Sequence, residues 1–86
     1  MSEQQVGEVT HYFNKAGVAG VSIIEGHLKI GDTICVIGHT TDFQQAIESM
    51  QIEHESVETA TAGDRVGIRV TDRVRVHDKV FRVSAP

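Results

Sequence analysis

The chain has no tryptophan, one proline (Pro86) and one cysteine (Cys35), and its longest uncharged, mostly apolar run is the nine-residue "AGVAGVSII". That run is far short of the ~20 residues a membrane helix needs, so no membrane span is expected. A lone cysteine excludes an internal disulfide and any cysteine-built zinc site. With no secretory leader to read, it points to the reducing cytoplasm. Aromatics are also scarce: only Tyr12, Phe13, Phe43 and Phe81. The core must then come from Val and Ile, whose β-branched side chains favour strands over helices.

What is present fits one small globular domain. The 86 residues are 40% apolar and 23% charged, ordinary for a chain that folds. A domain of this size buries only about 60% of the surface its unfolded form exposes. The net charge of −4 hides a split. Up to Asp64 there are ten acidic residues against Lys15 and Lys29; from Arg65 on there are six basic residues against Asp72 and Asp78. This balance argues against bulk nucleic-acid binding but leaves room for a local basic face.

Short alternating runs broken by Gly, Asn and Asp predict strands over 6–13, 18–24, 33–38, 65–70 and 79–83. "EGHLKIGD" (25–32) reads as two glycine turns around Leu28 and Ile30. Residues 43–60 could be helical, but extended chain with a bulge near Glu48-Ser49 accounts better for the change of apolar parity after Ile47. Residues 1–5 read as a flexible N-terminus, 6–83 as a single β-barrel domain and 84–86 as a tail.

Most catalytic and cofactor chemistry is missing. No P-loop spacing occurs. "GVAG" (17–20) has the spacing of a KH-domain loop, but its flanks are strands. The five histidines form no tight ligand pair, so no metal and no cofactor is expected. Asp64 and Glu8 have no visible carboxylate partner, and Cys35 has no visible base. The chain is therefore expected not to be an enzyme. In "AGDRVGIRV" (62–70), Gly63 and Asp64 predict a tight turn, because glycine takes backbone angles others avoid and Asp accepts from nearby amides.

Together, "VAGVSIIEGHLKIGD", "ICVIG", "AIESMQIEHESVETATAGDRVGI" and "HDKVF" resemble, in order and spacing across 6–83, the second domain of translation GTPases, the barrel of elongation factor Tu and its relatives. The resemblance implies an all-β fold: a closed six- to seven-stranded Greek-key β-barrel of the translation-protein type. It also implies contact with transfer RNA or the ribosome. Eighty-six residues leave no room for the family's GTP-binding domain, so GTP binding is not expected of this chain alone. The family's asparagine after Gly-Asp, which helps line the aminoacyl pocket, is replaced here by Arg65, so specific aminoacyl recognition is not carried over.

After that turn, alternation sends Val66, Ile68, Val70, Val74 and Val76 inward and Arg65, Arg69, Arg73 and Arg75 outward. Gly67 leaves a gap among them where a flat group could approach. One outcome is that these arginines pair with Glu48, Glu53, Glu55 and Glu58 as a solvated face. The other, taken as the leading expectation, is a translation-connected module contacting RNA or a ribosome-associated component through the four arginines. The alternative is an adaptor that binds another protein through an outward apolar patch at Cys35 and Ile37.

Overall fold

Alternation of buried and exposed side chains along each run decides where this chain extends and which face it turns inward. The computed structural model describes residues 2–84; Met1, Ala85 and Pro86, which belong to the expected flexible ends, lie outside the described residues. In chain order the strands are β1 (Ser2–Phe13), β2 (Val18–Ile23), β3 (His27–Lys29), β4 (Thr33–Ile37), β5 (Asp42–Ala46), β6 (Met50–Ile52), β7 (Glu55–Ser56), β8 (Thr59–Thr61), β9 (Arg65–Arg69) and β10 (Lys79–Ser84). The fold is all-β. The expected frayed start is strand from Ser2, because Ser2 to Gln5 pair with β10.

Eight strands form one antiparallel sheet in the order β5-β4-β10-β1-β2-β9-β6-β7, and β3 pairs with β8 as a separate ribbon. This corrects the expected closed barrel of six or seven strands. The two edge strands, β5 and β7, share no backbone ladder, and β7 is only two residues long. The sheet curls into a barrel-like layer without hydrogen-bonded closure. What spans the gap on the β5 side is one side chain: Gln45 Nε2 donates to the Arg69 carbonyl at 2.8 Å, and its Oε1 accepts from the Thr71 backbone N–H at 2.7 Å.

The inward face is one apolar cluster. Val6 and Val9 of β1, Ala19, Val21 and Ile23 of β2, Ile34 and Val36 of β4, Val66 and Ile68 of β9, and Val80 of β10 are all buried in it. Leu28 and Ala60 face each other across the β3–β8 ribbon and cover the cluster from outside the large sheet. Deleting most of one such side chain costs about 2–5 kcal/mol, a large share of the stability of a chain this size.

Two segments differ from the alternation pattern. Residues 43–60 are extended rather than helical, but the break at 47–49 is a crossing, not a bulge: β5 edges one side of the sheet and β6 joins the other at β9. Ile47 anchors the crossing by accepting from Gly31 N–H and donating to Asp32 O, so both Ile47 and Met50 turn inward despite unlike parity. After Arg69 the chain leaves the sheet. Val74 is buried but Val76 is 49% exposed, so strand parity does not survive Asp72.

Candidate functional site

The sheet carries one row in which two neighbouring strands have no side chains. His11 of β1 stands opposite Gly20 of β2, Gly20 opposite Gly67 of β9, and Gly67 opposite Gln51 of β6. The residues either side of these glycines (Ala19, Val21, Val66 and Ile68) face the core, so the glycines face out. The result is an open slot of about 410 Å³ whose floor is bare backbone. From β1 to β6 it spans three strand spacings, about 14 Å.

Local chemistry shapes its rim. A register shift in β1 between Val9 and His11 lets the consecutive Thr10 and His11 both turn outward, as a bulge does. Thr10 Oγ1 donates to the Gly20 carbonyl at 3.3 Å and fixes the bulge against β2. The His11 and Phe13 rings lean together with centroids 4.3 Å apart, and Phe13 remains 51% exposed. Phe13 lies opposite Val18 and forms the apolar end of the slot.

The other end is charged. Arg65 follows the β8–β9 turn, two residues before Gly67 on the same outward face. Glu53 and His54 form the two-residue connection between β6 and β7, with φ of 51° and 67°. Two positive values fit a type I′ hairpin turn, which normally takes Asn-Gly. Left-handed backbone costs a residue with a side chain roughly 1–2 kcal/mol, so this turn is held under strain at the rim. Neither Arg65 nor Glu53 takes part in an ion pair among the described residues, although both line the slot.

The residues singled out by sequence scatter around this site. Arg65 and Arg69 project from β9 and are exposed. Arg73 and Arg75 are exposed on the 70–78 loop, and the Arg75 N–H donates to Asp78 at 2.8 Å. The four arginines therefore do not line one strand, and among the described residues none of them pairs with Glu48, Glu53, Glu55 or Glu58. At the turn, Gly63 has φ of 99° and Asp64 accepts from the Thr61 N–H at 2.9 Å. Among the described residues no three of His, Cys, Asp and Glu gather into a metal-binding cluster.

Cys35 and Ile37 do not make an open patch. Cys35 lies on the face opposite Ile34 and Val36, yet it is 8% exposed, flanked on neighbouring strands by Phe81 and Gln44. Burial pushes its thiol pKa up, with the Glu3 and Asp42 carboxylates adding to the effect. Ile37 is half-buried. Sequence reasoning noticed the gap at Gly67 but missed Gly20, His11, Phe13, Gln51, Glu53 and His54. Only the register joins them, although two glycines inside β-branched runs are a signal that sequence does carry.

Comparison with known proteins places the chain in a family. The profile of elongation factor Tu domain 2 matches residues 16–80, and the chain belongs to that family. The curated relatives, however, are named for proteolysis. The chain is 41% identical over 78 residues, 90% of its length, to an uncharacterized protease of Methanocaldococcus jannaschii, of which that stretch is 19%. It is 42% identical over 78 residues to a collagenase of Porphyromonas gingivalis, of which the stretch is 22%. The chain thus spans about a fifth of the length of the relatives it matches. Among solved structures it resembles the C-terminal domain of a Geobacillus thermoleovorans protein assigned to the U32 peptidases. The TM-score is 0.86 at 21% identity, with 94% of this chain and 93% of that one covered, a likeness of fold.

These relatives correct the expected function. Membership in the barrel family does not bring the translation role with it, because the curated relatives are a protease and a collagenase. The RNA-contacting module and its adaptor alternative are both withdrawn on these relatives; the four arginines do not line one strand, and Cys35 is buried. No helix among the described residues is long and apolar enough to cross a membrane.

Proposed function

We propose that this chain is a non-catalytic domain serving a peptidase of the kind named among its relatives, and that it holds polypeptide while other parts of that machinery cut it. The observation that carries the reading is the alignment. Ninety per cent of this chain matches about a fifth of proteins named protease and collagenase. The domain that it resembles in fold is likewise one C-terminal piece of a protein assigned to the U32 peptidases. A segment of that share supports an accessory role rather than the whole activity.

Two features of the molecule support the same reading. Its one thiol, Cys35, is buried with its pKa pushed up, the opposite of the lowered pKa and exposure a cysteine nucleophile needs. Its outer face carries an open slot with an apolar end and a charged end, suited to binding. A buried free thiol also accords with a reducing compartment, so we place the chain in the cytoplasm.

The test uses denatured collagen and casein. The chain alone, incubated with either at neutral pH, is expected to release no new amino termini, while an immobilised chain retains the polypeptide. Release of new termini in proportion to added chain would replace this reading with a peptidase.

A further inference from the structure

We propose that the slot over Gly20 and Gly67 receives the carboxyl-terminal residue of a peptide, with a large apolar side chain on the glycine floor and the free carboxylate against Arg65.

The floor comes first. Gly20 and Gly67 sit side by side in the sheet, and neither has a positive φ. A Cβ at Gly20 would find its nearest neighbour, His11 Cβ, at 3.4 Å, an ordinary contact. Backbone geometry therefore does not require glycine at 20, and a strand interior loses stability by having one. A strand glycine without a backbone reason marks a place where another group approaches closely. Gly67 adjoins it, where a Cβ would press on Val18 Cγ1 at 3.2 Å, and the two together leave a bare strip two strands wide.

The walls give the strip a polarity. Phe13 and Val18 pair across β1 and β2 at one end, offering ring and methyl surface to an apolar side chain. Arg65 stands at the other end without an ion pair among the described residues, and a guanidinium in that state matches a carboxylate with two parallel hydrogen bonds. Beside it, the strained Glu53-His54 turn presents an unpaired carboxylate, an acceptor for the backbone N–H of the same bound residue. Backbone strain of this kind persists where the surrounding structure holds it, often at binding sites. One residue that carries a carboxylate, an N–H and an apolar side chain is the end of a peptide chain.

The proposal rests on the reading of the chain as a peptidase accessory, because hydrolysis of a peptide bond is what creates new carboxyl ends. It adds what that reading lacks: the site, the occupant and the groups that recognise it.

The experiment is an amide-resolved NMR titration of the whole chain with three peptides. One is acetyl-Gly-Ser-Gly-Phe with a free carboxylate, the second is its C-terminal amide, and the third has Ser in place of Phe. The expected result is saturable shifts at the Gly20 and Gly67 amides with the first peptide only. Arg65→Gln, an exposed change that leaves the fold intact, weakens that binding about tenfold or more, as loss of a charged hydrogen bond does. Gly20→Val fills the slot and abolishes it. Equal binding of the amide or of the Ser peptide, equal or tighter binding of free phenylalanine, or no shift at Gly20 and Gly67 up to about 10 mM would each overturn the proposal. A silent titration removes the slot and leaves the accessory reading standing. New amino termini in the cleavage test remove that reading and leave the titration to be judged by itself.

Discussion

Gln45 and Thr71, 26 positions apart, are joined side chain to backbone: Gln45 Oε1 accepts the Thr71 N–H at 2.7 Å and its hydroxyl at 3.1 Å. The same amide donates to the Arg69 carbonyl at 2.8 Å. A glutamine on the edge strand β5 thereby does locally what a backbone ladder would do in a closed barrel, and it holds the end of β9 in place.

Gln45→Ala removes this clasp. With single hydrogen bonds worth about 0.5–1.5 kcal/mol net, losing three related ones is expected to cost about 1–3 kcal/mol. Amide exchange at Thr71 should accelerate more than exchange at Ile68, which keeps its ladder. Equal protection in both proteins would show that β5 is held by other contacts.

The 70–78 loop hangs on Asp78, which is 4% exposed and whose carboxylate accepts the Arg75 N–H at 2.8 Å. Asp78 Oδ1 packs directly over Gly38, in the space a Cβ at that position would take. Gly38→Ala must displace this buried group, and a cost of about 3 kcal/mol or more is expected. At about 4–8 °C per kcal/mol, that lowers the melting temperature by well over 10 °C. A loss under about 1 kcal/mol would mean that the loop moves aside freely.

Cys35 supplies a pH dependence. Its pKa is raised in the fold by burial, then by Glu3 and Asp42, so the folded state keeps the thiol proton when the unfolded chain has begun to lose it. Stability from this source is intact below the ordinary thiol pKa and falls as pH rises through it toward the folded value. Alkaline denaturation should therefore be less steep in Cys35→Ala than in the wild type above about pH 8.5. Identical alkaline limbs would remove Cys35 as their cause. Native-state labelling by a thiol reagent should also be slow and limited by unfolding.

The strained turn yields a prediction in the opposite sense. Replacing Glu53-His54 by Asn-Gly matches the type I′ geometry and is expected to stabilise the chain by about 1–2 kcal/mol. A gain from deleting two slot residues would show stability given up for function. A loss would show that the Glu53 and His54 side chains hold the hairpin.

How much of this was legible in sequence follows from the range of each interaction. β-branched alternation fixes single strands, and β2, β4, β9 and β10 begin where their Val and Ile runs do. Glycine turns at Gly26, Gly31 and Gly63, with φ of 71°, 96° and 99°, are likewise local. Closure is not local. Nothing near Gln45 announces Thr71, so a closed barrel and a side-chain clasp read alike. Val76 misled for a related reason: its parity was right for a strand, but the buried Asp78 pulls residues 70–78 into a loop. The slot was half visible, since Gly67 stands out in "RVGIRV" while Gly20 joins it only through the β2–β9 register.

The most direct test of the account is the thermal stability of Gly20→Ala, with Gly67→Ala beside it. If the glycine strip is kept bare for a ligand, Ala at 20 meets only an ordinary contact and should stabilise the chain by about 0.5–1 kcal/mol while weakening peptide binding. Ala at 67 meets Val18 Cγ1 at 3.2 Å and should gain less. A clear loss of stability in Gly20→Ala, about 1 kcal/mol or more, would make the glycine a requirement of the fold and contradict the claim that the slot is built for an occupant.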